Sequence, residues 1–271
     1  MTTTWRTVRC PDGRDLEVLV TGPEDGLPLL YHSGTPTAAS PLPALTDAAT
    51  ERGLRTVCWS RPGYATSTAR PSRTVAEVAA DARAVLADLG GNRFVTLGWS
   101  GGGPHALACA ALLPEHCAAV ATLAGVAPHE ATGLDWLAGM GAENVAEFTA
   151  ARAGDPALTA YLEEQAATLA RVTGGEVAAA LGDLVPDVDK AALTGDFAEA
   201  LAETFRRAVS TGVVGWHDDD LAFVRPWGFD LASITVPVSV WQGAQDRMAG
   251  RPPARILDDL LELAGMDVTT R

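Results

Sequence analysis

A chain of 271 residues, 47% of them hydrophobic, is long enough for one large α/β domain with a sizeable insertion and is not disordered by composition. Its formal charge of −14 argues against nucleic-acid and anionic-membrane partners, because phosphate binding needs clustered Lys and Arg. No apolar run reaches the length of a membrane span, and the opening MTTTWRTVRC lacks an apolar signal segment, so a cytoplasmic protein is expected.

In chain order, short apolar runs predict strands over Thr4–Cys10, Asp15–Val20, Leu27–His32, Arg55–Trp59, Phe94–Trp99 and Ala118–Leu123. Between the fourth and fifth, Thr74-Val-Ala-Glu77 has the capping-box spacing. Val75, Val78, Ala82, Val85, Leu86 and Leu89 then recur at helical intervals until Gly90-Gly91 ends the helix. Strands separated by such helices imply βαβ units and a mainly parallel, doubly wound sheet. The pattern breaks after about Pro128. From there to about Gly228 the chain is Ala-, Glu- and Leu-rich, helical in character and without a strand; strand signal returns over Ile234–Trp241. The expected organisation is therefore a core over 1–127, a helical lid over 128–230 and a second core segment over 231–271. In that last segment Arg255–Ala264 reads as an amphipathic helix ending at Gly265, and Met266–Thr270 as the start of a final strand. Cys10, Cys58, Cys109 and Cys117 show no C-x-x-C spacing and no paired histidines, which argues against zinc. Cys58 and Cys109 sit in apolar runs and read as buried thiols.

The chemistry concentrates at Phe94-Val-Thr-Leu-Gly-Trp-Ser-Gly-Gly-Gly-Pro-His105. Within it, Gly98-Trp99-Ser100-Gly101-Gly102 fits the G-x-S-x-G nucleophile elbow, with an apolar strand before it and a helix expected from Pro104 to about Leu113 after it. A sharp strand-to-helix turn holds such a serine in a strained conformation, and a Cβ two positions away on either side would collide with its neighbours. The turn leaves the Gly101 N–H and the positive end of the helix directed at whatever the serine attacks.

With these residues in view, the chain resembles the α/β-hydrolase superfamily, in the branch of small hydrolases that includes proline-iminopeptidase-like and esterase-like members. Tyr31-His-Ser-Gly-Thr-Pro36 is similar to that family's strand-end H-G-x-P loop, with one more residue between His and Gly. Ser60-Arg-Pro-Gly-Tyr64 resembles its [DS]-R-P-G-Y segment, and Trp241-Gln-Gly-Ala-Gln-Asp246 its strand–G-x-x-D segment. The resemblance implies Ser100 as nucleophile, Asp246 as the triad acid, and an oxyanion hole from the N–H groups of Thr35 and Gly101, with Gly98 and Gly102 shaping the elbow. It implies a small ester, lactone or amide as substrate, no cofactor and no metal. Relatives that dehalogenate or open epoxides use a carboxylate at the elbow, so Ser100 implies a serine ester instead.

The base is where the sequence departs from the family, whose order is Ser, then Asp or Glu, then His. The histidines are His32, His105, His116, His129 and His217, and none follows Asp246. His32 belongs to the loop motif, His105 reads as a structural residue, His116 as part of a surface turn, and His129 stands where the lid begins. His217, in Gly-Trp-His-Asp-Asp-Asp220, reads as a solvated loop and is the one candidate substitute base with carboxylates beside it. The expectation is a serine hydrolase impaired by a missing histidine, or alternatively a hydrolase fold that binds a ligand without turnover or comes from a shortened gene. An exposed sheet edge after Asp246 would favour association between copies.

Overall fold

One sheet runs through the protein, its strands side by side in the order Thr3–Arg9 (β1), Asp15–Thr21 (β2), Leu54–Trp59 (β4), Leu27–His32 (β3), Phe94–Trp99 (β5), Cys117–Leu123 (β6) and Val238–Trp241 (β7). The computed structural model describes residues 2–182, 190–243 and 260–265. Strands β1 (Thr3–Arg9) and β2 (Asp15–Thr21) form a hairpin closed by the Cys10 N–H donating to the Arg14 carbonyl at 2.8 Å. Cys10, expected in the first strand, belongs to the turn for that reason. Next come β3 (Leu27–His32), helix α1 (Pro43–Glu51), β4 (Leu54–Trp59), α2 (Val78–Asp88), β5 (Phe94–Trp99), α3 (Gly102–Leu112) and β6 (Cys117–Leu123). The pairs β1–β2 and β2–β4 are antiparallel, and β3–β4, β3–β5, β5–β6 and β6–β7 are parallel. This is the expected mainly parallel α/β architecture.

The central strands are apolar throughout because both faces are covered. Leu30, Val57 and Val120 face one buried cluster, while their neighbours Leu29, Cys58 and Ala121 face the other. All four cysteines are buried free thiols. Helix α2 follows a short 3₁₀ turn at Val75–Glu77, where the Thr74 N–H donates to Glu77 Oε2 at 2.9 Å. Gly90 ends it at φ +67°, a conformation that costs glycine little. The last strand, β7 (Val238–Trp241), is shorter than the Ile234–Trp241 signal. Pro237 has no N–H to give to the ladder; its carbonyl accepts from the Val120 N–H at 3.0 Å, and regular pairing starts after it.

Between β6 and β7 the described chain is helical, with no strand among the described residues. It includes α4 (Ala142–Ala153), α5 (Ala157–Leu169), α6 (Val177–Ala180), α7 (Gly195–Ala208) and α8 (Val214–Phe223). In α7 the buried residues Ala198, Leu201, Ala202 and Phe205 recur at helical spacing. This insertion does not hang free: Phe148, Leu158, Leu162 and Phe223 join the same buried cluster as Leu30 and Phe94. Arg207 of α7 also pairs with Glu17 of β2 at 2.6 Å. Among the described residues no helix is long and apolar enough to cross a membrane. Residues 260–263 are helical within the expected Arg255–Ala264 helix, and Leu260 and Leu261 are buried there.

Candidate active site

Ser100 stands between β5 and α3 at φ +52°, a left-handed backbone for a residue with a Cβ. Its N–H donates to the Leu123 carbonyl at 2.8 Å and its carbonyl accepts from the Gly103 N–H at 2.9 Å, so the turn is held from both sides. The flanking glycines are sterically required. A Cβ on Gly102 would lie within 2.7 Å of the Ser33 carbonyl oxygen and collide with that of His32; one on Gly98 would come within 2.7 Å of Gly103 Cα. Helix α3 therefore begins at Gly102 rather than at Pro104, because the three glycines are needed for close approach and not for helix propensity.

Thr35 and Gly101 are neighbours: a Cβ on Gly101 would come within 3.0 Å of Thr35 Cβ. No described group accepts from the backbone N–H of either residue. Both line a cavity of about 480 Å³, with Ser100, at the C-terminal ends of the parallel strands. Gln242, just past β7, lines it as well. Asp246 lies outside the described residues.

The loop carrying Thr35 is clamped from behind. Arg61 donates through Nη1 to the Ser33 carbonyl at 2.7 Å and through Nη2 to the Gly34 carbonyl at 2.8 Å. Its Nη2 also reaches Asp219 Oδ2 at 2.6 Å. Asp219, wholly buried in α8, accepts in addition from Tyr64 Oη at 2.9 Å and from Thr35 Oγ1 at 3.0 Å, and pairs with Arg73 at 2.8 Å. Burial alone would raise its pKa, but the Arg61 and Arg73 guanidiniums overcome that and hold the carboxylate well below the usual range. Gly63 lets the loop touch α8, since a Cβ there would sit 2.8 Å from the Gly215 nitrogen. The Ser60–Tyr64 motif thus acts as a buttress between the Thr35 loop and α8.

Residues 217–220 are a correction. They read as a solvated loop, but they lie in α8, with Asp218, Asp219 and Asp220 buried. The Arg61 and Arg73 charges that hold Asp219 there come from about 150 residues away, so local pattern could not reveal them. The one available signal was the apolar flanks, Trp216 before the run and Leu221–Phe223 after it. Asp220 and Glu147 of α4 are further cavity residues that sequence reasoning missed.

Among the described residues no histidine lines the cavity. The buried His105 donates through Nδ1 to the Gly101 carbonyl at 2.9 Å, and burial, helped by Arg61, pushes its pKa down to about 3, so the ring is neutral. His32 is buried against Trp59, His116 bonds the Asn92 carbonyl, His129 packs on Trp136, and His217 bonds Asp155 at 2.8 Å.

This geometry has counterparts. The model of the alpha/beta hydrolase fold family matches residues 28–254, and the chain belongs to that family. No curated protein matches it in sequence. Among solved structures, epoxide hydrolase A from Mycobacterium thermoresistibile is similar over 98% of this chain and 89% of its own, at 21% identity and a TM-score of 0.66. The esterase RhEst1 from Rhodococcus is similar over 94% and 86%, at 21% identity and a TM-score of 0.60. An alpha/beta hydrolase fold protein from Nakamurella multipartita shares 24% identity over 95% of this chain and 87% of its own, at a TM-score of 0.56. Likeness at this level of identity speaks for the fold.

Proposed function

We propose that this chain is a serine hydrolase acting on a small ester, lactone or amide through an acyl-enzyme on Ser100. The observation that carries this reading is the left-handed Ser100 lining one cavity together with Thr35 and Gly101, whose backbone N–H groups have no described acceptor. Such a pair suits an oxyanion, and the N-terminus of α3 adds favourable potential. Asp246 would orient the base, and the helices over 128–230 would serve as the lid that shapes the pocket. An epoxide-opening reading lacks its nucleophile, since the elbow carries a hydroxyl and not a carboxylate.

With no described histidine in the cavity, turnover by these 271 residues should be weak. The oxyanion hole and binding alone supply about 10³–10⁴-fold over water. Hydrolysis of p-nitrophenyl acetate is therefore expected at no more than that, and lower still in Ser100→Ala. Ordinary esterase rates surviving His105→Ala and His217→Ala would show that another group takes the proton. The same lack of a cavity histidine favours a second reading, a hydrolase fold that binds its ligand without turning it over. That reading expects ligand affinity unchanged by Ser100→Ala and no acyl-enzyme.

A further inference from the structure

The two free N–H groups beside Ser100 belong to peptides whose carbonyls are engaged on the far side. The Gly101 N–H shares its peptide with the Ser100 carbonyl, which accepts from the uncharged Gly103 N–H at 2.9 Å. The Thr35 N–H shares its peptide with the Gly34 carbonyl, which accepts from Thr37 Oγ1 at 2.6 Å and from Arg61 Nη2 at 2.8 Å. That last donor is a cation. The Gly34–Thr35 bond is trans, the cis bonds of the described chain being those before Pro36 and Pro156. A trans peptide directs its C=O and N–H to opposite sides, so the Thr35 N–H points away from Arg61. Gly34 and Thr35 line the cavity and Arg61 does not. Gly34 also packs on the nucleophile, since a Cβ there would lie 3.4 Å from Ser100 Cβ and 3.8 Å from its Oγ.

Arg61 is only 3% exposed, so water screens its charge little. Its carboxylate partner does not cancel that charge. Asp219 divides one negative charge between Arg61 at 2.6 Å and Arg73 at 2.8 Å. His105, whose Nε2 lies 3.9 Å from Asp219, is neutral and takes no share. A hydrogen bond onto a carbonyl polarises the whole peptide and makes its N–H a better donor, and an ionised donor is about twice as strong as a neutral one. A clamp alone would need only a neutral donor, which Thr37 already supplies.

We infer that Arg61 is a positioning residue that strengthens the oxyanion hole through the Gly34–Thr35 peptide. Its charge, placed on the Gly34 carbonyl, makes the Thr35 N–H the stronger donor to the oxyanion formed at Ser100. The inference rests on the hydrolase reading and adds to it the source of the charge that the hole uses. It also gives the Ser60–Tyr64 motif a part in the chemistry without contact with the substrate.

The test is labelling of Ser100 by an alkyl fluorophosphonate, followed by intact mass over time at several probe concentrations in wild type, Arg61→Gln and Arg61→Lys. As the Oγ–P bond forms, the phosphonyl oxygen gains negative charge, fluoride leaves with its electron pair and the hydroxyl proton passes to solvent. That charge exists in the transition state and not in the bound probe. Arg61→Gln keeps an N–H donor without the charge, and should lower the maximal labelling rate about tenfold while leaving the half-saturating concentration unchanged. Arg61→Lys keeps the charge and should label faster than Arg61→Gln even where its melting midpoint is no higher. A second measurement needs no variant, so a variant that fails to fold leaves the test intact. In the amide proton–nitrogen spectrum of wild type, the Thr35 proton should move downfield on labelling, at least as far as that of Gly101. A labelled Ser100 with the Thr35 proton unmoved would overturn this inference alone. So would a maximal rate in Arg61→Gln equal to wild type, a loss lying wholly in the half-saturating concentration, or equal rates in the two variants. A wild type that takes no label at Ser100 removes the hydrolase reading, and this inference with it.

Discussion

Replacing Asp219 by Ala should destabilise the protein by about 3–5 kcal/mol, the usual cost of leaving the partners of a buried ion pair unpaired. Arg61 and Arg73 would then be buried cations without their carboxylate, and Tyr64 and Thr35 would lose their acceptor. For a domain of this size that corresponds to a fall in Tm of about 10 °C. The effect also has a pH signature. A carboxyl whose folded pKa lies below its unfolded value contributes stability above the ordinary Asp range and loses it as pH falls toward the folded value. Wild type should therefore lose stability on acidification below about pH 4, and Asp219→Asn should lose less. Because Arg61 holds the Ser33 and Gly34 carbonyls, the variant should also react more slowly at Ser100 even below its melting temperature. Thermal melts that leave Asp219→Ala within about 1 kcal/mol of wild type would show that the cluster does not brace the loop.

The second large effect is expected at Gly102. A Cβ there meets the His32 and Ser33 carbonyl oxygens, which are backbone atoms at the end of β3 and cannot rotate away. Gly102→Ala should cost about 3 kcal/mol or more, at the upper end of overpacking effects. It should also move Ser100 enough to lower its reactivity by about 100-fold. Gly53→Ala is the control: that residue has φ +70° and open space around its Cβ, so only the left-handed strain of about 1–2 kcal/mol applies. Similar denaturation midpoints for the two variants would mean that the elbow has room for a side chain.

Much of the sheet was legible in advance because the central strands are buried on both faces and read as unbroken apolar runs. Phe94–Trp99 and Leu27–His32 end at the same residues in sequence and structure. The departures have local causes: a hairpin turn at Cys10, a proline at the head of β7, and glycines that conceal the start of α3. The Ser100 elbow was legible for the same steric reason that its glycines cannot be replaced. The buried acidic residues of the helical segment were not. Asp219, Asp220 and Glu147 acquire meaning only from Arg61, Arg73, Trp216 and each other, and those contacts join segments far apart in the chain.

The account depends most on Ser100 being an accessible nucleophile beside an oxyanion hole. Incubating the chain with an alkyl fluorophosphonate and reading intact mass and peptide maps tests this directly. The account predicts one adduct per chain, on Ser100, formed slowly because no described histidine lines the cavity, and absent from Ser100→Ala. An unmodified Ser100 after prolonged exposure, or an adduct confined to another residue and unchanged in Ser100→Ala, would contradict it.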